Sequence, residues 1–279
     1  FSLFTLHFSL FTPHQSATVL PALPGNILKK QTKINNKNME YDKFERTINQ
    51  MEGASRPTSL ALPSLMRKVY LWMTLALVIT GLTSYEVATC QIIIYTLYSN
   101  QAYLWGIVIA ELALVMIISA AINRLSLLTA TLLFILYSAL NGVMCSSILI
   151  LYTAQSVAST FFITAGTFAV MAFIGYTTKT DLSSLGKIAL MGLIGIIIAT
   201  VVNIFIGSSM MTMIISYIGV AIFVALTAYD VQRIRTMLAQ FEYADESAQK
   251  VALIGALSLY LDFINLFLYL IRIFGDRRD

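Results

Sequence analysis

Residues 125–178 read LSLLTATLLFILYSALNGVMCSSILILYTAQSVASTFFITAGTFAVMAFIGYTT, 54 consecutive residues without a charge between Arg124 and Lys179. An α-helix needs roughly 20 apolar residues to cross a bilayer, so this run holds two crossings and a tight hairpin. The chain folds back near Tyr152-Thr153-Ala154-Gln155-Ser156. A second run of 42 uncharged residues lies between Lys187 and Asp230 and turns near Gly207-Ser208-Ser209. Three further spans stand alone, at about 69–88, about 103–123 around Glu111, and about 251–274 around Asp262. The total is seven. Transmembrane strands are about 10 residues long with alternating polarity, and these uniformly apolar runs exclude a β-barrel.

Composition agrees. Apolar and aromatic residues make up 58% of the 279 and charged residues 11%, whereas soluble domains carry about 25% charged residues. So few charges do not coat a water-exposed surface, and the solvent of most of the chain is lipid.

Lys and Arg set the expected orientation. They occupy the N-terminal arm (Arg46, Arg56, Arg67, Lys68) and the connections holding Arg124, Lys179, Lys187, Arg233, Arg235 and Lys250. The connections at about 89–102, 152–156 and 207–210 hold none. The alternation predicts a cytoplasmic N-terminus. A seventh full span then puts Arg272, Arg277 and Arg278 outside, so either the short basic tail breaks the rule or the Asp262 segment does not cross; crossing is the expectation. Residues 1–38 hold both histidines and three of the five prolines, and Met39 reads as a start. They are taken as an upstream extension or disordered arm, followed by a cytoplasmic arm over 39–66, a membrane domain over 67–275 and a short polar tail over 276–279.

An ionisable group inside a bilayer is costly and marks function by default. Asp230 ends the sixth span and Asp262 lies about eleven residues into the seventh. If they meet, two carboxylates sharing a site do not both ionise cheaply and titrate as a unit. Such a pair is a proton switch, and fully ionised it offers hard oxygen ligands to Ca²⁺. The plainer alternative for Asp230 is a boundary residue solvated by headgroups. Glu111 either lines the same polar path or is neutral and bonded to a neighbouring helix. Arg124 either pairs with an aspartate or anchors its helix at the cytoplasmic face. Asn141, Asn203 and Asn265 read as interhelical contacts, Gly192, Gly195 and Gly219 as close-packing points, and most Tyr and Phe residues as lipid-facing. Cys90 and Cys145 lack CxxC spacing or a histidine partner, so neither a disulfide framework nor a zinc site is expected, and Cys145 reads as apolar filler.

The closing stretch Ala256-Leu257-Ser258-Leu259-Tyr260-Leu261-Asp262-Phe263-Ile264-Asn265-Leu266-Phe267 resembles the signature of the Bax inhibitor-1 family, most closely its YccA-like bacterial branch. Thr227-Ala228-Tyr229-Asp230-Val231-Gln232-Arg233-Ile234, Thr178-Lys179-Thr180-Asp181-Leu182-Ser183 and Glu111 fit as well, so the resemblance covers about 60–279. It implies an all-α membrane protein with seven transmembrane helices, the last one central and wrapped by two three-helix layers. It further implies a pH-sensitive calcium leak gated by a hydrogen-bonded Asp230–Asp262 pair, with Arg124 as a closed-state latch and Glu111 along the ion path. The expected partners are membrane lipid, Ca²⁺ and protons, in a bacterial inner membrane, with no cofactor and no nucleic acid. A non-transporting modulator of a membrane-anchored protease or stress-response partner is the alternative. An enzyme is not expected. Intramembrane aspartyl proteases also use a Tyr-Asp motif like Tyr229-Asp230, but they carry Gly-x-Gly-Asp where Leu259-Tyr260-Leu261 precedes Asp262. A retinal-type receptor lacks its lysine in the last span.

Overall fold

A computed structural model describes residues 60–122 and 124–278; the expectations for 1–38 and for the arm up to residue 59 lie outside them. The described residues form eight helices. Seven are long and apolar enough to cross a membrane: α1 (Leu62–Thr89), α3 (Gln101–Ala121), α4 (Leu127–Leu151), α5 (Ala154–Thr177), α6 (Ser183–Ile206), α7 (Ser209–Leu238) and α8 (Glu246–Phe274). The eighth, α2 (Gln91–Ser99), is a short helix in the connection between the first two spans, where the sequence reading has no helix.

Local chemistry places the hairpins inside the uncharged runs. Thr153 caps α5 by accepting from the Ser156 N–H, and Ser208 caps α7 by accepting from the Met211 N–H. Each cap satisfies one of the donors that a helix start leaves open. Between α6 and α7 the chain turns through Gly207 at φ 69°, which only glycine adopts freely. Asn203 locks that turn, donating to the Ser208 carbonyl at 3.2 Å and the Thr212 hydroxyl at 2.7 Å. Inside the spans, hydroxyls such as Thr227 and Thr164 donate to the carbonyl one turn back, so they carry no unmet donor into hydrocarbon.

The last helix is the centre. In its most apolar stretch 83% of residues are buried, against 39% or fewer in every other span. α1, α3 and α4 form one layer around it and α5, α6 and α7 the other. In lipid the hydrophobic effect does not drive helices together, and close packing of small residues does. A Cβ on Gly142 of α4 would stand 2.7 Å from the Thr80 carbonyl oxygen of α1, and one on Gly175 of α5 would collide with the Ala228 carbonyl of α7. Gly192 and Gly219 pack as expected, against Ile222 and Tyr269, but Gly195 faces open space.

Three helices outrun the sequence reading. α1 starts at Leu62, seven residues early and inside the expected arm, with Pro63 in its first turn, where the missing N–H costs nothing. α7 continues eight residues beyond Asp230 because Val231, Ile234 and Leu238 are buried there, while Gln232 and Arg235 brace the α5–α6 connection. α8 begins at Glu246, where Asp245 accepts from the Ala248 N–H at 2.8 Å. The start of α8 bonds to the starts of α1 (Lys68 to Gln249, 3.0 Å) and α4 (Leu127 N–H to Glu246, 3.4 Å). Its other end reaches the α4–α5 turn, where the Thr153 N–H donates to the Asp276 carbonyl and the Arg278 N–H to the Leu151 carbonyl, both at 3.0 Å. The Asp262 helix therefore runs the whole length of the bundle. A cysteine at position 250 and one at position 278 are expected to react with a membrane-impermeant maleimide from opposite faces; labelling from one face would contradict a full crossing.

Candidate functional site

Asp230 sits nearly three-quarters of the way along α7 and Asp262 sixteen residues into α8, roughly 24 Å from its start at about 1.5 Å per residue. Both are buried, at 9% and 2% exposure. The two carboxyl groups lie within hydrogen-bonding reach of one another. Ser258, one turn before Asp262 on the same face of α8, donates its hydroxyl to Oδ2 of Asp230. Oδ2 of Asp262 has no hydrogen-bond partner among the described residues. The cation whose charge reaches Asp230 is Arg233, one turn further along α7. The site is thus two carboxyls and a hydroxyl clamped between α7 and α8, with a guanidinium at its edge. Asp230 is not a headgroup-solvated boundary residue, because α7 extends past it.

Replacing Ser258 with Ala leaves that Asp230 oxygen short of a donor inside the bundle, which costs about 1–3 kcal/mol. The detergent-solubilised variant is expected to unfold at a lower temperature than wild type. An unchanged melting curve would mean that the hydroxyl contributes nothing to holding the two helices.

Glu111 does not join this pair. It is fully buried on α3, with neither carboxyl oxygen hydrogen-bonded among the described residues. It interacts electrostatically with Tyr137 and Cys145 of α4 and Tyr260 of α8. Tyr260 precedes Asp262 by two residues, about 200° around a helix of 3.6 residues per turn, and therefore faces the other layer. Its hydroxyl meets the Thr80 hydroxyl of α1 at 2.7 Å, and its ring stands edge-on to Phe134 and Tyr137, with centroids 5.8 and 5.9 Å away. The central helix so carries a polar cluster on each side.

Arg124 is exposed in the turn between α3 and α4 and makes no ion pair among the described residues; this structure does not bring it to either aspartate. Asn141 accepts from the Cys145 thiol at 3.5 Å and Asn265 donates to the Leu261 carbonyl at 2.7 Å, both within their own helices rather than across them. Tyr137, Tyr260, Phe134 and Phe223 are interior rather than lipid-facing. The sequence reading missed Ser258, although its i, i−4 spacing from Asp262 puts it on the same helix face and was the signal that could have found it; nothing in the sequence singled out Thr80. No three His, Cys, Asp or Glu side chains converge among the described residues.

Residues 62–279 match the protein-family profile described as inhibitor of apoptosis-promoting Bax1. The chain is 49% identical over 218 residues to the inner membrane protein YbhL of Escherichia coli (strain K12), covering 78% of this chain and 93% of that one. A Borreliella burgdorferi protein is 46% identical over 214 residues, 77% of this chain and 92% of its own. A Deinococcus radiodurans protein is 37% identical over 234 residues, 84% and 99%.

Proposed function

The chain belongs to the Bax inhibitor-1 family of multi-pass membrane proteins, and from that premise we propose that it is a pH-sensitive Ca²⁺ leak gated by Asp230 and Asp262. The observation that carries the reading is the meeting of these two carboxyls between α7 and the central helix, with Ser258 on one of them. A carboxyl pair holding one proton is joined by a strong, charge-assisted hydrogen bond. Loss of that proton sets two negative charges side by side, and gain of a second removes the charge that strengthens the bond. Either change in proton count loosens α7 from α8.

The same groups suit an ion that passes rather than stays. Ca²⁺ takes six to eight oxygen ligands, roughly, and two carboxyls with one hydroxyl offer too few oxygens to complete that shell. Water fills the rest of the shell, so the ion is held weakly enough to leave. Glu111, in the cluster on the other side of α8, adds a third carboxyl beside the central helix, and Arg124 is left as an anchor at its helix end. The relative named as an inner membrane protein supports a bacterial inner membrane as the location. Arg67 and Lys68 in α1, Arg124 before α4 and Lys250 in α8 lie at the end of the bundle where these helices start, which supports a cytoplasmic N-terminus.

Ca²⁺ uptake by proteoliposomes as the pH is varied tests this reading. A pH-dependent rate is the expected result. If the pure protein passes no Ca²⁺ at any pH, the leak is excluded and a modulator of another membrane protein takes its place.

A further inference from the structure

α1 and α5 flank the same side of α8 but scarcely touch each other, and the seam between them holds two recesses in line. The larger, of about 540 Å³, is lined by Met66, Arg67 and Tyr70 of α1 and by Phe168, Ala172 and Tyr176 of α5. The smaller, of about 140 Å³, continues along the seam between Gly81 of α1, Phe161 of α5 and Cys145 of α4. The Phe263 ring stands between them, 5.5 Å from Phe168 on one side and 5.5 Å from Phe161 on the other. The larger recess falls within the roughly 300–1,000 Å³ range of ligand sites.

Size and apolarity alone do not select it, because a recess of about 530 Å³ between α6 and α7 is equally apolar and has no charged residue around it. What differs is Arg67. It is exposed at the mouth of the seam, at the cationic end of the bundle, and makes no hydrogen bond or ion pair among the described residues. Two phenols, Tyr70 and Tyr176, line the recess with it. The neighbouring guanidinium of Arg235 is already committed to the Tyr176 carbonyl at 2.8 Å. A guanidinium unpaired among the described residues, above an apolar trench that runs along the helices, complements the anionic head and apolar tail of a phospholipid. Guanidinium and phosphate pair through charge-assisted hydrogen bonds, and basic pockets between transmembrane helices take lipid headgroups.

We propose that the α1–α5 seam binds one anionic phospholipid, with its phosphate at Arg67 and an acyl chain lying along Phe168 and Ala172 toward Phe263. The chain end then rests on the residue next to Asp262, so an occupied seam bears on the central helix.

The full-length protein, equilibrated with equal amounts of phosphatidylglycerol and phosphatidylcholine and examined by native mass spectrometry, tests the site. One retained phosphatidylglycerol, preferred about tenfold over phosphatidylcholine (about 1.4 kcal/mol), is expected. Arg67→Gln is expected to remove the preference, and Ala169→Trp, at an exposed position on the recess wall, to lower retention of both lipids. Equal retention by wild type, or a preference that survives Arg67→Gln, overturns the proposal. A photo-crosslinker at position 169 in native membranes is expected to capture a phospholipid. Capture of another protein chain, or of the first 59 residues of the same chain, gives the seam a different occupant and also overturns it.

Discussion

Proteoliposomes carrying Asp262→Asn are expected to take up Ca²⁺ at a rate that no longer changes with pH between roughly 5 and 8, because one of the two carboxyls that share a proton is gone. Asparagine has nearly the shape of a protonated aspartate and stays neutral at every pH. Its amide donates to Asp230 as the shared proton did, so the contact between α7 and α8 persists while its titration is removed. Where one proton controls the gate, the wild-type rate should change by up to about tenfold per pH unit, and the variant should be flat. Asp230→Asn is expected to flatten the response as well. The exposed Asp181 does not supply an alternative sensor. Its carboxylate is held below the usual range by the Ser183 hydroxyl and backbone N–H, so it stays ionised over that whole window. A variant that keeps the full wild-type pH response would remove the aspartate pair from the gate.

The largest effect on folding is expected at Gly175→Val. A Cβ there collides with the backbone carbonyl of Ala228, and a backbone in mid-helix does not swing aside as a side chain does. α5 and α7 must separate, and overpacking of this kind costs about 1–3 kcal/mol or more. The strain falls two residues from Asp230, so both stability and the carboxyl pair are affected. In detergent the variant should lose its cooperative thermal transition or show it at a much lower temperature. Gly195→Val serves as the control, because a Cβ at Gly195 meets nothing within 4 Å. Equal melting of the two variants would mean that this close approach is not what joins the helices.

The contrast between these glycines shows where the sequence stops being legible. The seven spans, both hairpins and the intramembrane placement of Asp262 follow from where charges are missing, because a charge in hydrocarbon is costly at any rotation of the helix. Which side of a span faces protein is another matter. In water an apolar stripe marks the buried face, but in lipid both faces are apolar and the stripe disappears. Gly175 and Gly195, or the interior Tyr137 and the exposed Tyr217, are therefore indistinguishable by composition. Glu111 suffers the same ambiguity: its depth is readable, its neighbours are not. The ends of α7 and α8 differ from the sequence reading because Asp230 and the basic linker resemble a boundary, although the linker's basic residues Arg233, Arg235 and Lys250 lie on helix. Arg124 was assigned to an aspartate by resemblance, and the turn that exposes it is a tertiary feature.

The position of α8 has a consequence for how the protein is made. A ribosome delivers the chain from its N-terminal end, so the helix that the other six spans surround is synthesised after all of them. Six spans must wait in the membrane as an incomplete ring, with Asp230 lacking both Ser258 and Asp262, until α8 leaves the exit tunnel and enters from the side. A chain cut short between α7 and α8 would thus keep six of its seven spans and have no centre, a mark for membrane quality control.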